Sequence, residues 1–131
     1  MGAIARSWLT TVSLNAPDAL MAVGPWLARC GATIVRHDGV AIVAKAGSEL
    51  TIRLKGGWLA SASEFPVEII VQAWPIEGGT TIRIDARDTW SFGGRLGMRT
   101  KYTNAIEGWV STAFQPLAPY VSGPSGPGPS T

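Results

Sequence analysis

The sequence has few of the residues that usually mark a catalytic or metal site. It contains one cysteine, Cys30, and one histidine, His37, in 131 residues. A single cysteine excludes an intramolecular disulfide and a cysteine-based zinc site, so stability has to come from a buried core, which a chain of this length can form. Because no metal or cofactor motif is present either, we expect no cofactor. A reducing cytoplasm is the simplest compartment for such a chain.

Charge is also scarce. Charged residues make up 15% of the chain and the net charge is +2, against about 25% charged residues in an average soluble domain. Such a low-charge surface is typical of homo-oligomers and of proteins with an internal ligand site, although a compact monomer rich in Gly and Ala has the same composition. The basic residues are scattered, so we do not expect a nucleic-acid partner. No apolar run approaches the roughly 20 residues of a membrane span, and residues 1–9 lack the apolar core of a signal peptide.

The N-terminal third predicts a strand, a helix and a hairpin. Residues 7–14 alternate, which places Trp8, Thr10, Val12 and Leu14 on one face of a first strand. A helix follows, with Asn15 as its N-cap and Gly31 as its end. Pro25 lies inside this helix and predicts a kink or a division into two short pieces. Asp38-Gly39 is a strong hairpin signal between strands at 33–37 and 40–45.

The rest of the chain predicts more strands, a long helix and a tail. Further strands are expected at 50–55, 67–74 and 80–90, with 58–63 either a short strand or an irregular flap. Charged side chains on alternate positions indicate a solvent-facing outer side, on which Glu68 or Gln72 would lie across from Arg83 or Arg87. Helical spacing predicts a C-terminal helix with one buried stripe. That stripe consists of Tyr102, Ile106, Trp109, Val110, Ala113 and Leu117.

The predicted fold is α+β. It is a curved antiparallel sheet with one N-terminal helix and one long C-terminal helix packed across it, in a single domain over 1–121. Residues 122–131 contain only Gly, Pro, Ser and Thr, which predicts a disordered tail. This order of elements, over about residues 7–117, resembles the helix-grip fold of the START/Bet v 1-like (SRPBCC) superfamily. The chain is shorter than that family, and one Pro-interrupted helix stands where the family has two. A β-α-β4-α arrangement like that of the TATA-binding protein fits the order equally well and need not enclose a cavity.

The resemblance to the helix-grip family implies an apolar ligand between the sheet and the C-terminal helix. Tryptophan is unusually frequent, and it suits both ligand cavities and cores. Its ordinary preference for buried positions favours core packing. The aromatic candidates for ligand binding are Trp8, Trp58, Trp90, Tyr102 and Trp109. A glycine-rich basic loop at 93–101 adds Arg95 and Arg99 as candidate anion-binding residues, although acidic side chains of the protein itself would serve equally well as their partners. Gly108, inside the helix, predicts the close approach of another group.

Two residues are candidates for catalysis. Asp88 continues the inner-face series Ile82, Ile84 and Ala86, and a carboxylate facing a core must be paired, hydrogen-bonded or shifted in pKa. The alternative is that the strand ends or bulges before Asp88. His37 is the one side chain expected to titrate near neutral pH, but a histidine beside a hairpin turn is more often a solvated turn residue than a general base.

Two functions follow from these observations. The first is binding of a small apolar or amphipathic ligand between sheet and C-terminal helix, extended in one version to a cyclase-like enzyme. Eight Arg to three Lys with abundant Ala and Gly is a composition typical of GC-rich bacteria, for which secondary metabolism is a fitting setting. The alternative is a non-enzymatic protein-interaction or homo-oligomeric assembly module.

Overall fold

The computed structural model describes residues 5–47, 66–88 and 99–121. The helices are α1 and α2, and the strands are β1 to β5, in chain order. Their bounds are β1 Ala5–Val12, α1 Ala16–Arg29, β2 Thr33–His37, β3 Ala41–Ala46, β4 Val67–Ile76, β5 Gly79–Asp88 and α2 Arg99–Phe114. A 3₁₀ helix, Gln115–Tyr120, follows α2 directly.

The five strands form one antiparallel sheet in the order β1-β5-β4-β3-β2. Helix α1 packs mainly on β2, β3 and β4, and α2 packs mainly on β5 and β1, so the two helices cover the same face side by side. The predicted α+β class is confirmed, and the arrangement is consistent with a helix-grip-like fold. The described elements also keep the order β-α-β4-α, which leaves the TATA-binding-protein-like alternative open.

Helix α1 begins and ends as its sequence predicts. The Asn15 side chain accepts a hydrogen bond from the backbone N–H of Asp18 at 2.8 Å, which satisfies one of the free donors at the helix start. At the other end Gly31 has a φ of 107°. Its N–H and that of Ala32 donate back to carbonyls of the last turn, the pattern of a Schellman cap. The helix is continuous through Pro25, so the predicted division into two pieces is not present.

Two hairpins connect the strands, and each depends on a specific turn residue. In the β2–β3 turn the Asp38 carboxylate accepts the N–H groups of Val40 and Ala41, both at 2.9 Å. This carboxylate holds the turn closed, and Gly39 does not adopt a positive φ. In the β4–β5 turn Gly78 has a φ of 83°, a backbone conformation that glycine adopts at little cost.

The two faces of the sheet differ as predicted. Inner-face residues are almost fully buried beneath the helices; they include Ile42, Ala44, Ile69, Val71, Ala73, Ile82, Ile84 and Ala86. On the outer face Glu68 pairs with Arg87 across β4 and β5, with Arg87 Nε donating to a Glu68 carboxylate oxygen at 2.7 Å. Gln72 lies opposite Arg83 in the same register. The prediction that Glu68 or Gln72 would lie across from Arg83 or Arg87 is therefore confirmed.

The described part of the predicted C-terminal stripe is buried as expected, but α2 ends at Phe114 and Leu117 lies in the 3₁₀ helix that follows. Ile106, Val110, Ala113 and Leu117 are at most 5% exposed, and Trp109 is 8% exposed. The close approach expected at Gly108, from Trp58, Trp90 or another subunit, involves groups outside the described ranges and stays a prediction. Gly108 is exposed, and no described atom lies within 4 Å of the position that its Cβ would occupy.

Several predictions fall on residues outside the described ranges. These are the strand at 50–55, the segment at 58–63, the end of the strand at 89–90, the loop at 91–98 and the tail at 122–131.

Candidate functional site

One row of side chains crosses the inner face from edge to edge. The strand register places Trp8, Ile84, Val71, Ile42 and His37 side by side on five successive strands. The three central residues are at most 1% exposed, whereas Trp8 is partly exposed and His37 is exposed. Because neighbouring strands lie about 4.8 Å apart, Trp8 and His37 are separated by about 19 Å along the sheet. The two accessible positions of this row therefore belong to opposite edges.

Trp8 lies between β1 and α2. Its ring stacks on the ring of Phe114, with centroids 4.8 Å apart and the planes inclined by 22°, a favourable aromatic arrangement. Trp8 Nε1 is buried, and within the described ranges it is the only buried side-chain nitrogen or oxygen without a hydrogen-bond partner. Thr10, the next inner-face residue of β1, is also partly exposed. The layer between β1 and α2 is thus one of the two edges at which described side chains of the inner face are accessible, the other being at His37.

Strand β1 runs alongside the C-terminal segment and contacts it at intervals. Arg6 Nε lies 3.3 Å from a Glu107 carboxylate oxygen at one end. At the other end the N–H of Ser13 donates to the carbonyl of Tyr120 at 2.8 Å, and Val121 forms a bridge with Val12. The Trp8–Phe114 stack lies between these contacts. The layer around Trp8 is therefore held at both ends.

A second tryptophan, Trp26, has a hydrogen-bond partner for its ring nitrogen, which Trp8 lacks. Trp26 Nε1, on α1, donates to the backbone carbonyl of Thr112 at 3.0 Å. Carbonyls in the last turn of a helix have no partner within the helix, so this hydrogen bond satisfies one end of α2 and joins the two helices. The sequence alone indicated no specific role for Trp26.

The aromatic candidates are only partly brought together. Trp109 belongs to the buried core cluster together with Phe114, and Trp8 packs against that cluster. Tyr102 lies in α2, but its side chain is outside what the structure describes, and Trp58 and Trp90 lie outside the described ranges. Arg99 is the first residue of α2; its side chain and the whole of Arg95 are likewise not described. The anion site predicted for the basic loop therefore stays a prediction.

His37 faces α1 on the inner side of the sheet. It is the last residue of β2 and pairs with Ile42, whose side chain is in the core. Its Cε1 and Nδ1 atoms lie 3.7 Å from the position that a Cβ of Gly24 would occupy. Gly24 is buried in the middle of α1, where glycine is unfavourable by about 1 kcal/mol relative to Ala. Its missing side chain leaves room for the imidazole and for Ile42.

The two catalytic candidates lie far apart. The backbone of Asp88, the last residue of β5, pairs with that of Val67, so the strand extends as far as Asp88. Asp88 is separated from His37 by about 14 Å across the sheet, which is three strand spacings, and by about 13 Å along the strand direction. A direct proton transfer between them would need a separation of about 3 Å. The described backbone therefore does not support an Asp88–His37 pair, and the side-chain role of Asp88 stays a prediction.

The ion pairs of the described residues lie at the surface and include Arg36–Asp38 and Arg83–Asp85. Asp38 accepts backbone N–H groups and lies 2.9 Å from Arg36 Nε. The hydrogen bond from the Val40 N–H, followed by that from Arg36, holds the pKa of the Asp38 carboxyl below its usual value. Within the described ranges no three His, Cys, Asp or Glu side chains come together as a metal site.

Two residues of this layer were not among the candidates from the sequence, although Thr10 was placed on the inner face of the first strand. Phe114 stacks on Trp8, and Thr10 lies beside it on the accessible part of β1. Phe114 follows Val110 by four residues, so the helical spacing that predicts the stripe could have identified Phe114 as well. No sequence signal could have shown that Trp8 Nε1 would lack a partner, because that depends on the packing of β1 against α2.

No family model and no curated protein matches this sequence. Among solved structures, protein MLL2253 from Mesorhizobium loti, a structural genomics target, superposes with a TM-score of 0.56 at 13% identity, over 87% of this chain and 93% of that chain. Ara h 8.0201 superposes with a TM-score of 0.48 at 11% identity, over 88% of this chain and 95% of that chain. At these identities, MLL2253 shows a shared fold and nothing about function, and the weaker likeness to Ara h 8.0201 carries no inference. In the part of the chain that the structure describes, neither helix is long and apolar enough to cross a membrane.

Proposed function

We propose that the protein binds a small apolar or amphipathic molecule between its sheet and helix α2. The observation that carries this proposal is the accessibility of Trp8 and Thr10 on the inner face of β1. The residues beside them in the sheet, Ile84 and Ile82, are at most 1% exposed. The inner face is therefore closed over β5 and open at β1, where a large aromatic ring provides apolar contact area.

A neutral fluorescent dye tests this proposal. Nile red should bind the purified protein with a rise in emission, since it responds to transfer from water into an apolar site. Thr10→Trp fills the accessible part of the inner face and should weaken Nile red binding at least tenfold. Thr11→Trp is the matched control, because Thr11 lies on the outer face of the same strand, and it should leave dye binding unchanged. Absence of dye binding by the wild-type protein, or equal loss in both variants, would contradict the proposal.

An enzymatic version of this function depends on Asp88. If its carboxylate faces the ligand, Asp88→Asn keeps the shape and removes the charge. Stability should then hold or rise, because a desolvated carboxylate is costly, while binding or turnover of the natural ligand falls at least tenfold. A loss of stability with unchanged binding would instead identify Asp88 as the partner of a basic residue in the fold. Equal melting temperatures with unchanged binding would remove the catalytic role.

Self-association is a second candidate function, supported by the outer face of the sheet. Leu9, Trp74 and Ile76 are 61%, 44% and 46% exposed, and the strand register places Leu9 and Trp74 on the side away from the helices. Exposed apolar side chains that lie near one another often mark an interface. Light scattering across a concentration series tests this function. A dimer that Trp74→Glu converts to a folded monomer supports it, and a wild-type protein that is monomeric at every concentration excludes it.

A further inference from the structure

We infer that the ligand of the β1–α2 layer is a neutral molecule with an apolar body and one hydrogen-bond acceptor, held by Trp8 Nε1. This inference rests on the proposed function and specifies the chemistry of the ligand. The starting point is the buried, unpaired N–H of Trp8. An indole nitrogen is a donor only, so its partner has to be an acceptor such as a carbonyl or ether oxygen.

The position of the N–H favours a ligand over a protein group as its partner. Stacking on Phe114 limits rotation of the Trp8 ring, so the N–H direction is set by the protein. A buried donor without a partner destabilises a fold by about 1–3 kcal/mol. The ring nitrogen of Trp26 has its partner in the Thr112 carbonyl. Trp8 Nε1 has no such acceptor among the described residues.

The surroundings favour a neutral ligand over a charged one. Within the described ranges the one buried polar side chain is Thr80, and its hydroxyl already donates to the carbonyl of Leu14 at 2.7 Å. The charged groups beside the layer, Arg6 and Glu107, form a pair with each other. A ligand that carried a net charge would find no free counter-charge among these groups and would lose its hydration on entry.

Two probes of the same shape, one with a carbonyl oxygen and one with a CH₂ group in its place, test the inference. 2-Acetylnaphthalene has a carbonyl acceptor, and 2-isopropenylnaphthalene has the same shape with a CH₂ group in place of that oxygen. Calorimetry gives the dissociation constant of each probe for the wild-type protein, for Trp8→Phe and for Trp26→Phe. Trp8→Phe keeps a stacking ring and removes the N–H. The preference for the ketone over the alkene should fall at least threefold in Trp8→Phe and stay unchanged in Trp26→Phe, since a net hydrogen bond is worth a few-fold to about tenfold in affinity.

The outcomes separate this inference from the proposed function. If the wild-type protein binds neither naphthalene nor Nile red, the proposed function fails. If it binds both naphthalenes and Trp8→Phe leaves their ratio unchanged, ligand binding stands and the role of Trp8 Nε1 is wrong. A direct measurement needs no variant to fold: in the ¹⁵N-labelled wild-type protein, one indole N–H resonance should move downfield with the ketone and not with the alkene. Identical shifts with both probes would overturn the inference.

Discussion

The turn between β4 and β5 provides a sharp test of the packing. The backbone of Gly79 passes so close to the end of β1 that a Cβ added to it would lie 2.2 Å from the carbonyl oxygen of Val12. Gly79 does not adopt a positive φ. Glycine is therefore required here because there is no room for a side chain, and not because of the backbone conformation. The obstructing atom belongs to the backbone and cannot rotate away as a side chain could. We therefore expect Gly79→Ala to displace β1 or the turn.

The magnitude follows from the contact. Inserting a methyl group into a closely packed site typically destabilises a protein by about 1–3 kcal/mol, and a backbone obstruction belongs at the upper end. Gly108→Ala is the matched control, because it is the same substitution at an exposed helical position with no described atom within 4 Å of the new Cβ. There the higher helix propensity of Ala should stabilise the fold by up to about 1 kcal/mol. The same substitution should thus lower the stability at Gly79 and raise it at Gly108.

Urea denaturation measures both effects. The midpoint should fall for Gly79→Ala and rise for Gly108→Ala, with the slope unchanged in each case. A Gly79→Ala variant as stable as the wild type would refute the described approach of the β4–β5 turn to β1. A loss of stability in Gly108→Ala would mean that a group outside the described ranges packs against that side of α2.

Four further results are expected. Trp109→Ala should lower the free energy of unfolding by about 3–5 kcal/mol, as truncation of a buried aromatic does, and a loss under about 1 kcal/mol in urea denaturation would show that Trp109 is not part of the core. Trp26→Phe should lower the melting temperature because the Thr112 carbonyl loses its donor, whereas Trp8→Phe should leave it unchanged or raise it; calorimetric scans decide between these signs. Since the folded-state pKa of Asp38 is lowered, its contribution to stability is present above the unfolded value near 3.8 and is lost as the pH falls through the folded pKa; urea midpoints from pH 6 to pH 2 should therefore converge for the wild type and Asp38→Ala. Removal of residues 122–131 should change the melting temperature by no more than a few degrees, and a larger drop would show that the tail docks on the domain.

The elements were predictable where local patterns were strong. Alternation identified β1 and β5, helical spacing identified the α2 stripe, and the cap residues Asn15 and Gly31 set the ends of α1. Each of these signals depends on neighbours in sequence, which is why no tertiary information was needed. The cross-strand pair of Glu68 with Arg87 also followed, because antiparallel hairpins fix their own register.

The candidate site was less predictable because it depends on contacts between distant segments. His37 was correctly placed at the end of a strand beside the turn, but only the packing of α1 on the sheet shows that it faces Gly24. Pro25 predicted a kink or a division of α1; the structure shows an unbroken helix there. The close approach of the Val12 carbonyl to Gly79 was not predicted, because the sequence shows only a turn there.

The pairing of β1 has a consequence for how the chain folds during synthesis. Strand β1 is the first described element to leave the ribosome, yet its partners are β5 and the segment ending at Val121. About 75 residues must follow Val12 before β5 has been made as far as Arg87, the last residue that pairs with β1, which takes roughly 4–15 s at ordinary elongation rates. Throughout that time Trp8 and Leu9 form an unpaired apolar strand, a segment that chaperones bind and that other nascent chains can pair with. Yield in cells should therefore depend on chaperone supply more than equilibrium stability suggests, and β1 should be the last strand to gain protection from hydrogen exchange during refolding.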